Sequence, residues 1–323
     1  MKILVTGAAG FIGMHTAQKL LQNGHEVVGI DNLNSYYPVS LKEDRLNILK
    51  RHEKFQFERI DISDLAFLQT KLKDHHFDAI IHLAAQAGVR YSFENPQSYI
   101  SSNLQGFFNI IEFCRHQEIK NFVFASSSSV YGNREDVPFK ESDRTVNPVS
   151  LYASTKICNE AMSYNYAYNH NITCVGLRFF TVYGPWGRPD MAPLKFLDKI
   201  SKGETIDIYS DGNLLRDYTY IDDITEGIFN LFKWSLEQKE GTHEIFNIGS
   251  NKPYSVLEFV ENLEKASGFQ ANKKFVPFQP GDVQKTYASV DKLIEATGYS
   301  PKTSLSDGLK ELSNWFKDYY SLN

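Results

Sequence analysis

Cysteine is scarce: the 323 residues carry three, Cys114, Cys158 and Cys174. An odd, widely spaced set with no CxxC pair argues against a disulfide framework and fits reduced thiols in a cytoplasmic protein. Nothing around these residues suggests an activating partner, so cysteine catalysis is not expected, and no metal site is expected either. Also missing is any apolar run near the roughly 18 residues of a membrane span. The opening MKILVTGAAGFIG is apolar but broken by glycine and lacks a cleavage-site pattern, so no signal peptide is expected. Positive charge is not in excess: 34 Lys and Arg stand against 39 Asp and Glu, a net charge of −5. That balance removes the electrostatic case for a nucleic-acid partner. It leaves room for a local basic pocket that takes a phosphorylated small molecule. Internal repeats and low-complexity tracts are absent.

What is present is the composition of a soluble globular protein, 42% hydrophobic and 23% charged, long enough for one large core or two modest ones. Residues 1–6, HEVVGIDN, FQFERIDI, DAIIHLAA, NFVFASS and ITCVGLRFFTVYG read as strands. Between them, 11–23 (stopped by Gly24), 64–75, 97–117 and LYASTKICNEAMSYNYAYNH read as helices. Strands apolar on both faces belong in a parallel sheet covered by helices. After Gly184 the texture changes: PWGRPDMAP is rich in proline and glycine, and short strands (IDIYS, THEIFNIG) mix with amphipathic helices such as SVLEFVENLEKASG. The expected α/β organisation is a doubly wound parallel sheet over 1–180 and a smaller α/β domain over 181–323. Segments of 218–250, including the helical YIDDITEGIFNLFKW, are able to return to the first domain.

The loop KILVTGAAGFIG sets Gly7, Gly10 and Gly13 in GxxGxxG spacing between a strand and a helix. Gly7 permits the tight turn, Gly10 lets backbone N–H groups approach a pyrophosphate, and Gly13 allows close packing of helix on sheet. The helix N-terminus adds its partial positive charge, which makes Phe11 and Ile12 cofactor-contact candidates too. Asp31 ends the second strand at about the twenty-residue offset where an acid meets the adenosine ribose. A carboxylate there repels a 2′-phosphate and favours NAD over NADP; the other reading is a capping aspartate. Asn32 follows it as a further candidate. Asp61, with the backbone of Ile62, is placed to meet the adenine, or is simply a turn residue.

Tyr152 and Lys156 in YASTK lie one helical turn apart on one face. A tyrosine hydroxyl titrates near 10, and an adjacent ammonium favours the phenolate, which makes Tyr152 a candidate base for a carbinol proton. Ser127, in FASSSSVYG after another strand, is placed to hydrogen-bond the same substrate oxygen.

These motifs, with HLAAQAGVRYS, SSNLQGFFNIIE, LRFFTVYGPWGRPDMA, RDYTYIDD and QPGDV, resemble the extended short-chain dehydrogenase/reductases, specifically the nucleotide-sugar epimerases, nearly end to end. The resemblance implies a Rossmann-type domain and a smaller C-terminal substrate-binding domain with the active site between them. It implies a role for Asn103 in bracing the active site and contacting the cofactor, where helix capping or packing is the plainer reading. It places Leu83, Ala84, Ala85, Gln86 and Val89 along the cofactor. Arg90 and Arg188 become candidate contacts for an anionic substrate, or ordinary exposed arginines. Arg216 resembles a diphosphate-binding arginine, suited to it by bidentate geometry, and Asp282 an acid near the nucleotide ribose. Gln279 stands where some relatives carry arginine.

The TVYGPWGRPDM and AGVRYS stretches look most like UDP-glucuronate 4-epimerases. That likeness implies oxidation of C4 by NAD, rotation of the 4-keto sugar and re-reduction on its other face, giving UDP-galacturonate. A uronate oxidised at C4 is a β-keto acid prone to decarboxylation. Ser127, Ser128, Ser129 and Thr181 offer neutral hydroxyls to orient its carboxylate. Related decarboxylases carry glutamate two residues before the tyrosine of VYG, and 4,6-dehydratases an acidic pair; this chain has Ser128 and Ser129 there. The rival readings are a UDP-glucose 4-epimerase, then a UDP-glucuronate decarboxylase, then a non-catalytic NAD-binding sensor. Helices near 97–117 and 151–170 are expected to pair two copies into a homodimer.

Overall fold

The computed structural model describes residues 1–277 and 283–322. Among them, seven strands form one parallel sheet: β1 (Lys2–Thr6), β2 (Glu26–Asp31), β3 (Phe55–Arg59), β4 (Ala79–His82), β5 (Asn121–Ala125), β6 (Thr173–Phe179) and, after three strands placed elsewhere, β10 (His243–Ile248). Their order is β10-β6-β5-β4-β1-β2-β3, reversing direction between β1 and β4. Every residue of β4 and β6 is buried, as strands covered on both faces require.

Helices Phe11–Gln22 and Ile221–Leu236 cover one face, packing Met14, Leu20, Ile224, Ile228 and Phe232 on Ile3, Val5 and Val175. Helices Leu65–Leu72, Phe107–His116 and Leu151–His170 cover the other, where Leu68, Ile110, Phe113 and Ala167 meet Leu4, Ile80 and Phe122. A third core joins Leu197, Ile206, Phe259, Leu263, Leu309 and Phe316. It underlies β7 (Thr181–Tyr183), β8 (Thr205–Tyr209), β9 (Leu215–Tyr220), β11 (Pro253–Ser255) and β12 (Asn272–Val276), which form a three-stranded sheet β11-β9-β7 and a β12-β8 pair. The chain thus crosses into the smaller layer after β6 and comes back with helix Ile221–Leu236 and β10 before leaving again. No described helix is long and apolar enough to cross a membrane.

The stretch 97–117, expected as one helix, is divided. Asn95 caps a one-turn α-helix Pro96–Tyr99, Ile100–Gly106 winds as a π-helix, and the α-helix resumes over Phe107–His116. Asn103 sits inside the widened segment with its carboxamide buried, and that inward engagement accounts for a departure that helical periodicity does not reveal.

Candidate active site

A cavity of about 740 Å³ lies at the C-terminal ends of the strands, where the order reverses, and extends under the smaller layer. One half is built by the glycine loop. Gly7 has φ +72°, and a Cβ on it would lie 2.8 Å from the Ala84 amide nitrogen. A Cβ on Gly13 would enter the Gly7 carbonyl oxygen, so glycine there lets the helix start flush against the loop. Gly10 precedes helix Phe11–Gln22, whose first turn carries no side-chain cap. Its leading amides, which an α-helix cannot satisfy internally, border the cavity.

Asp31 closes this half. Its carboxylate accepts from the amides of Ala9 (3.2 Å) and Leu33 (2.8 Å); burial pushes its pKa up while the Lys42 charge and these amides oppose the rise. Loop glycines, uncapped helix and strand-end acid together fit an adenine dinucleotide. Phe11, Ile12, Asn32, Ile62, Leu83, Ala84, Ala85, Gln86 and Val89 line the same half.

Two further expected cofactor contacts, Asp61 and Asn103, are not among the residues that line the cavity. Asp61 accepts from Asn32 Nδ2 (2.9 Å), Ser63 N (2.9 Å) and Ser63 Oγ (2.7 Å); burial would raise its pKa, but these bonds outweigh it and hold the carboxyl below its ordinary value. Asn103 accepts from Gln86 N (2.8 Å) and donates to Gln86 O (3.0 Å) and Thr155 Oγ1 (3.1 Å). Asp61 is thus engaged by Asn32 and Ser63, and Asn103 braces Gln86 and Thr155.

At its centre, Ser127 follows β5 and Tyr152 stands in the first turn of helix Leu151–His170, which Ser150 caps through the Ala153 amide (3.1 Å). Ser127 and Tyr152 both line the cavity here, and the Ser127 Oγ donates to Ser129 Oγ (3.2 Å) and accepts from the Ser129 amide (3.1 Å). Burial raises the Tyr152 pKa, while the nearby Ser127 hydroxyl and the Arg188 charge pull it down. The sequence suggested Lys156 as the neighbouring cation. The structure turns its ammonium to the Ala125 carbonyl (2.7 Å), with Nζ 6.0 Å from the Tyr152 ring centre, because the side chain runs inward along the strand end. Burial pulls the Lys156 pKa down to about 8, opposed by Glu160. Glu160, one turn further, is held by Arg178 (2.9 and 2.8 Å) and Ser126 (2.5 Å), a buried clamp behind the reactive pair.

The other half is basic and hydroxylic. Ser128, Ser129, Thr181, Arg90, Arg188 and Arg216 all line it, and Lys195 and Lys199 join them from helix Ala192–Ser201. Arg188 pairs with Asp190, which also accepts from the Tyr36 hydroxyl (2.9 Å). Arg90 lies over the Tyr209 ring (5.1 Å), and Arg216 donates to Leu215 O (2.8 Å). Asp282 and Gln279 lie outside the described residues. Sequence reasoning overlooked Tyr36, Asp190, Lys195 and Lys199. The i, i+4 lysines just after the proline-rich segment were a usable signal; Tyr36 and Asp190 had none, since only folding brings them together.

The family model described as NAD dependent epimerase/dehydratase family matches residues 3–249. Protein CapI of Staphylococcus aureus is 46% identical, with 99% of each chain covered. A probable UDP-glucuronate 4-epimerase of Rhizobium meliloti is 42% identical over 99% of this chain and 98% of its own. Among solved structures, UDP-glucuronic acid 4-epimerase from Bacillus cereus, in complex with UDP-glucuronic acid and NAD, superposes with a TM-score of 0.90 at 39% identity, covering 99% of this chain and all of that one.

Proposed function

The chain belongs to the NAD dependent epimerase/dehydratase family, and from that footing we propose that it inverts C4 of a UDP-sugar, converting UDP-glucuronate to UDP-galacturonate. The observation that carries the reading is the position of the Ser127–Tyr152 hydroxyl pair, between a dinucleotide loop and a basic, hydroxyl-lined half of one cavity.

The Gly7–Gly13 loop and Asp31 would hold NAD, which would supply hydride acceptance from C4 and its return to the opposite face of the sugar. Tyr152 accepts the C4 hydroxyl proton and later gives one back to the 4-keto sugar, while Ser127 fixes the same oxygen. The Arg188 charge favours the phenolate that this requires. Lys156, anchored on Ala125, contributes a cation at the cofactor side of the pair. Arg216, with Lys195 and Lys199, supplies donors for the diphosphate. Ser128, Ser129 and Thr181 hold the uronate carboxylate so that its bond to C5 stays out of overlap with the C4 carbonyl, and no side-chain carboxylate replaces Ser128 or Ser129 to promote loss of carbon dioxide. Arg90 and Arg188 serve the anionic sugar.

We propose further that two copies pair through helices Phe107–His116 and Leu151–His170, on which Phe108, Tyr164 and Tyr168 are exposed. Cys114, Cys158 and Cys174 are unpaired, in keeping with a cytoplasmic setting.

Purified protein is supplied with UDP-glucuronate and UDP-glucose separately, without added NAD, and the product sugars are resolved by chromatography. The expected product is UDP-galacturonate with no pentose, and Tyr152→Phe is expected to lower kcat by about 10²–10⁴-fold. Turnover of the neutral sugar alone defeats the uronate assignment.

A further inference from the structure

Arg45, in helix Val39–Leu49, is fully buried and does not line the cavity. Its guanidinium donates to Ala9 O (3.0 Å) and the Tyr37 hydroxyl (2.8 Å) on one side. On the other it donates to Trp186 O (3.1 and 2.6 Å) and Gly187 O (2.9 Å). Among the described residues these acceptors are all neutral. A buried cation without an ion-pair partner is expensive to keep unless its hydrogen bonds are well made, and this one spends them joining two parts of the cavity wall. Ala9 belongs to the dinucleotide loop, where its amide is already held by Asp31. Trp186 and Gly187 immediately precede Arg188, whose charge reaches Tyr152. The Trp186 ring packs against Trp315 (5.3 Å) and Tyr319 (5.1 Å), while the backbone carbonyls of Trp186 and Gly187 take their side-chain donors from Arg45.

We propose that Arg45 is a positioning residue for the nucleotide sugar: by tying Trp186 and Gly187 to the dinucleotide loop, it sets Arg188 at the sugar end of the cavity. This rests on the proposed reaction, in which Arg188 meets the sugar and not the nucleotide.

The test is a double-substitution cycle read as dissociation constants by calorimetry, with NAD present and Tyr152→Phe as the parent so that no turnover intervenes. Arg45→Met is expected to weaken UDP-glucuronate about tenfold and to leave UDP within about twofold, the scale of coupling between neighbours. Arg188→Met should weaken UDP-glucuronate by a similar factor, with Arg45→Met adding less than about twofold on top of it. Arg45→Lys, which keeps a donor and the charge, should fall between. Equal loss for UDP and UDP-glucuronate overturns the proposal, as does a full multiplicative effect of the two substitutions. If Arg45→Met does not fold, the same cycle is run with Arg45→Lys, and parental affinity for UDP-glucuronate in that variant is equally fatal. Failure of the underlying reaction shows elsewhere, as absence of UDP-glucuronate turnover by the unsubstituted enzyme, and removes both.

Discussion

Lys156 is 3% exposed, with its ammonium on the Ala125 carbonyl, and burial lowers its pKa from the ordinary 10.5 to about 8. It is therefore an ammonium at pH 7, as its place beside the reactive hydroxyls requires. Between pH 8 and 10.5 the unfolded chain holds this proton and the folded chain has released it. The group's burial penalty is thus present in full below pH 8 and relieved as pH rises through that window, by about 3 kcal/mol in all. Urea unfolding of the wild type and of Lys156→Met at pH 7.5 and 10 isolates it: the wild type should gain stability on the Met variant as pH rises, and a constant gap contradicts the assignment. The half-buried imidazole of His15 and the buried one of His82, lowered to about 4 and about 3 by desolvation, act at the other end. Each is neutral when folded, so stability falls as pH drops below 6.5 and the unfolded chain takes up protons first.

The π-turn Ile100–Gly106 and the first turn of helix Leu151–His170 are the elements on which the reactive geometry stands. Asn103 ties the first to Gln86 and Thr155, and its carbonyl accepts from Asn159 Nδ2 (2.7 Å). Asn103→Ala strands the buried amide and carbonyl of Gln86 and is expected to destabilise by about 2–4 kcal/mol, against about 1 kcal/mol for removing the Ser150 cap by Ser150→Ala. Urea midpoints should rank the two in that order. Asn103→Asp keeps the acceptor for the Gln86 amide and loses the donor, so it should fall between Asn103→Ala and wild type. If Asn103→Ala unfolds with the wild-type midpoint, the brace is not what holds this wall.

At the scale of the molecule, the cavity is assembled within one chain, from the strand ends of the large sheet below and β7, β8 and β9 with helix Ala192–Ser201 above. The proposed dimer helices lie on the outer face of the sheet, away from the glycine loop's helix. Phe108→Glu combined with Tyr168→Glu is accordingly expected to shift sedimentation from dimer to monomer while kcat stays within about threefold. A single sedimenting species common to both proteins rules that interface out, since two buried charges without partners cannot be accommodated at a dimer centre.

What the sequence determined by itself was the local chemistry that spacing enforces. Gly7 and Gly13 announced the loop because only glycine tolerates the Ala84 and Gly7 backbone at those distances. Uniformly apolar strands announced the parallel sheet, and Tyr152 and Lys156 announced a shared helix face. Tertiary structure decided what each group meets. It turned Lys156 onto Ala125 and brought Arg188 to bear on Tyr152. It used Asp61 and Asn103 as braces, and buried Arg45 between the dinucleotide loop and the Trp186–Gly187 turn, which lies about 140 residues further along the chain than Arg45 itself. Spacing along a chain fixes which neighbours share a turn or a face. Contacts across the fold depend on which backbone carbonyls and carboxylates packing brings within hydrogen-bond reach, and no local pattern encodes that.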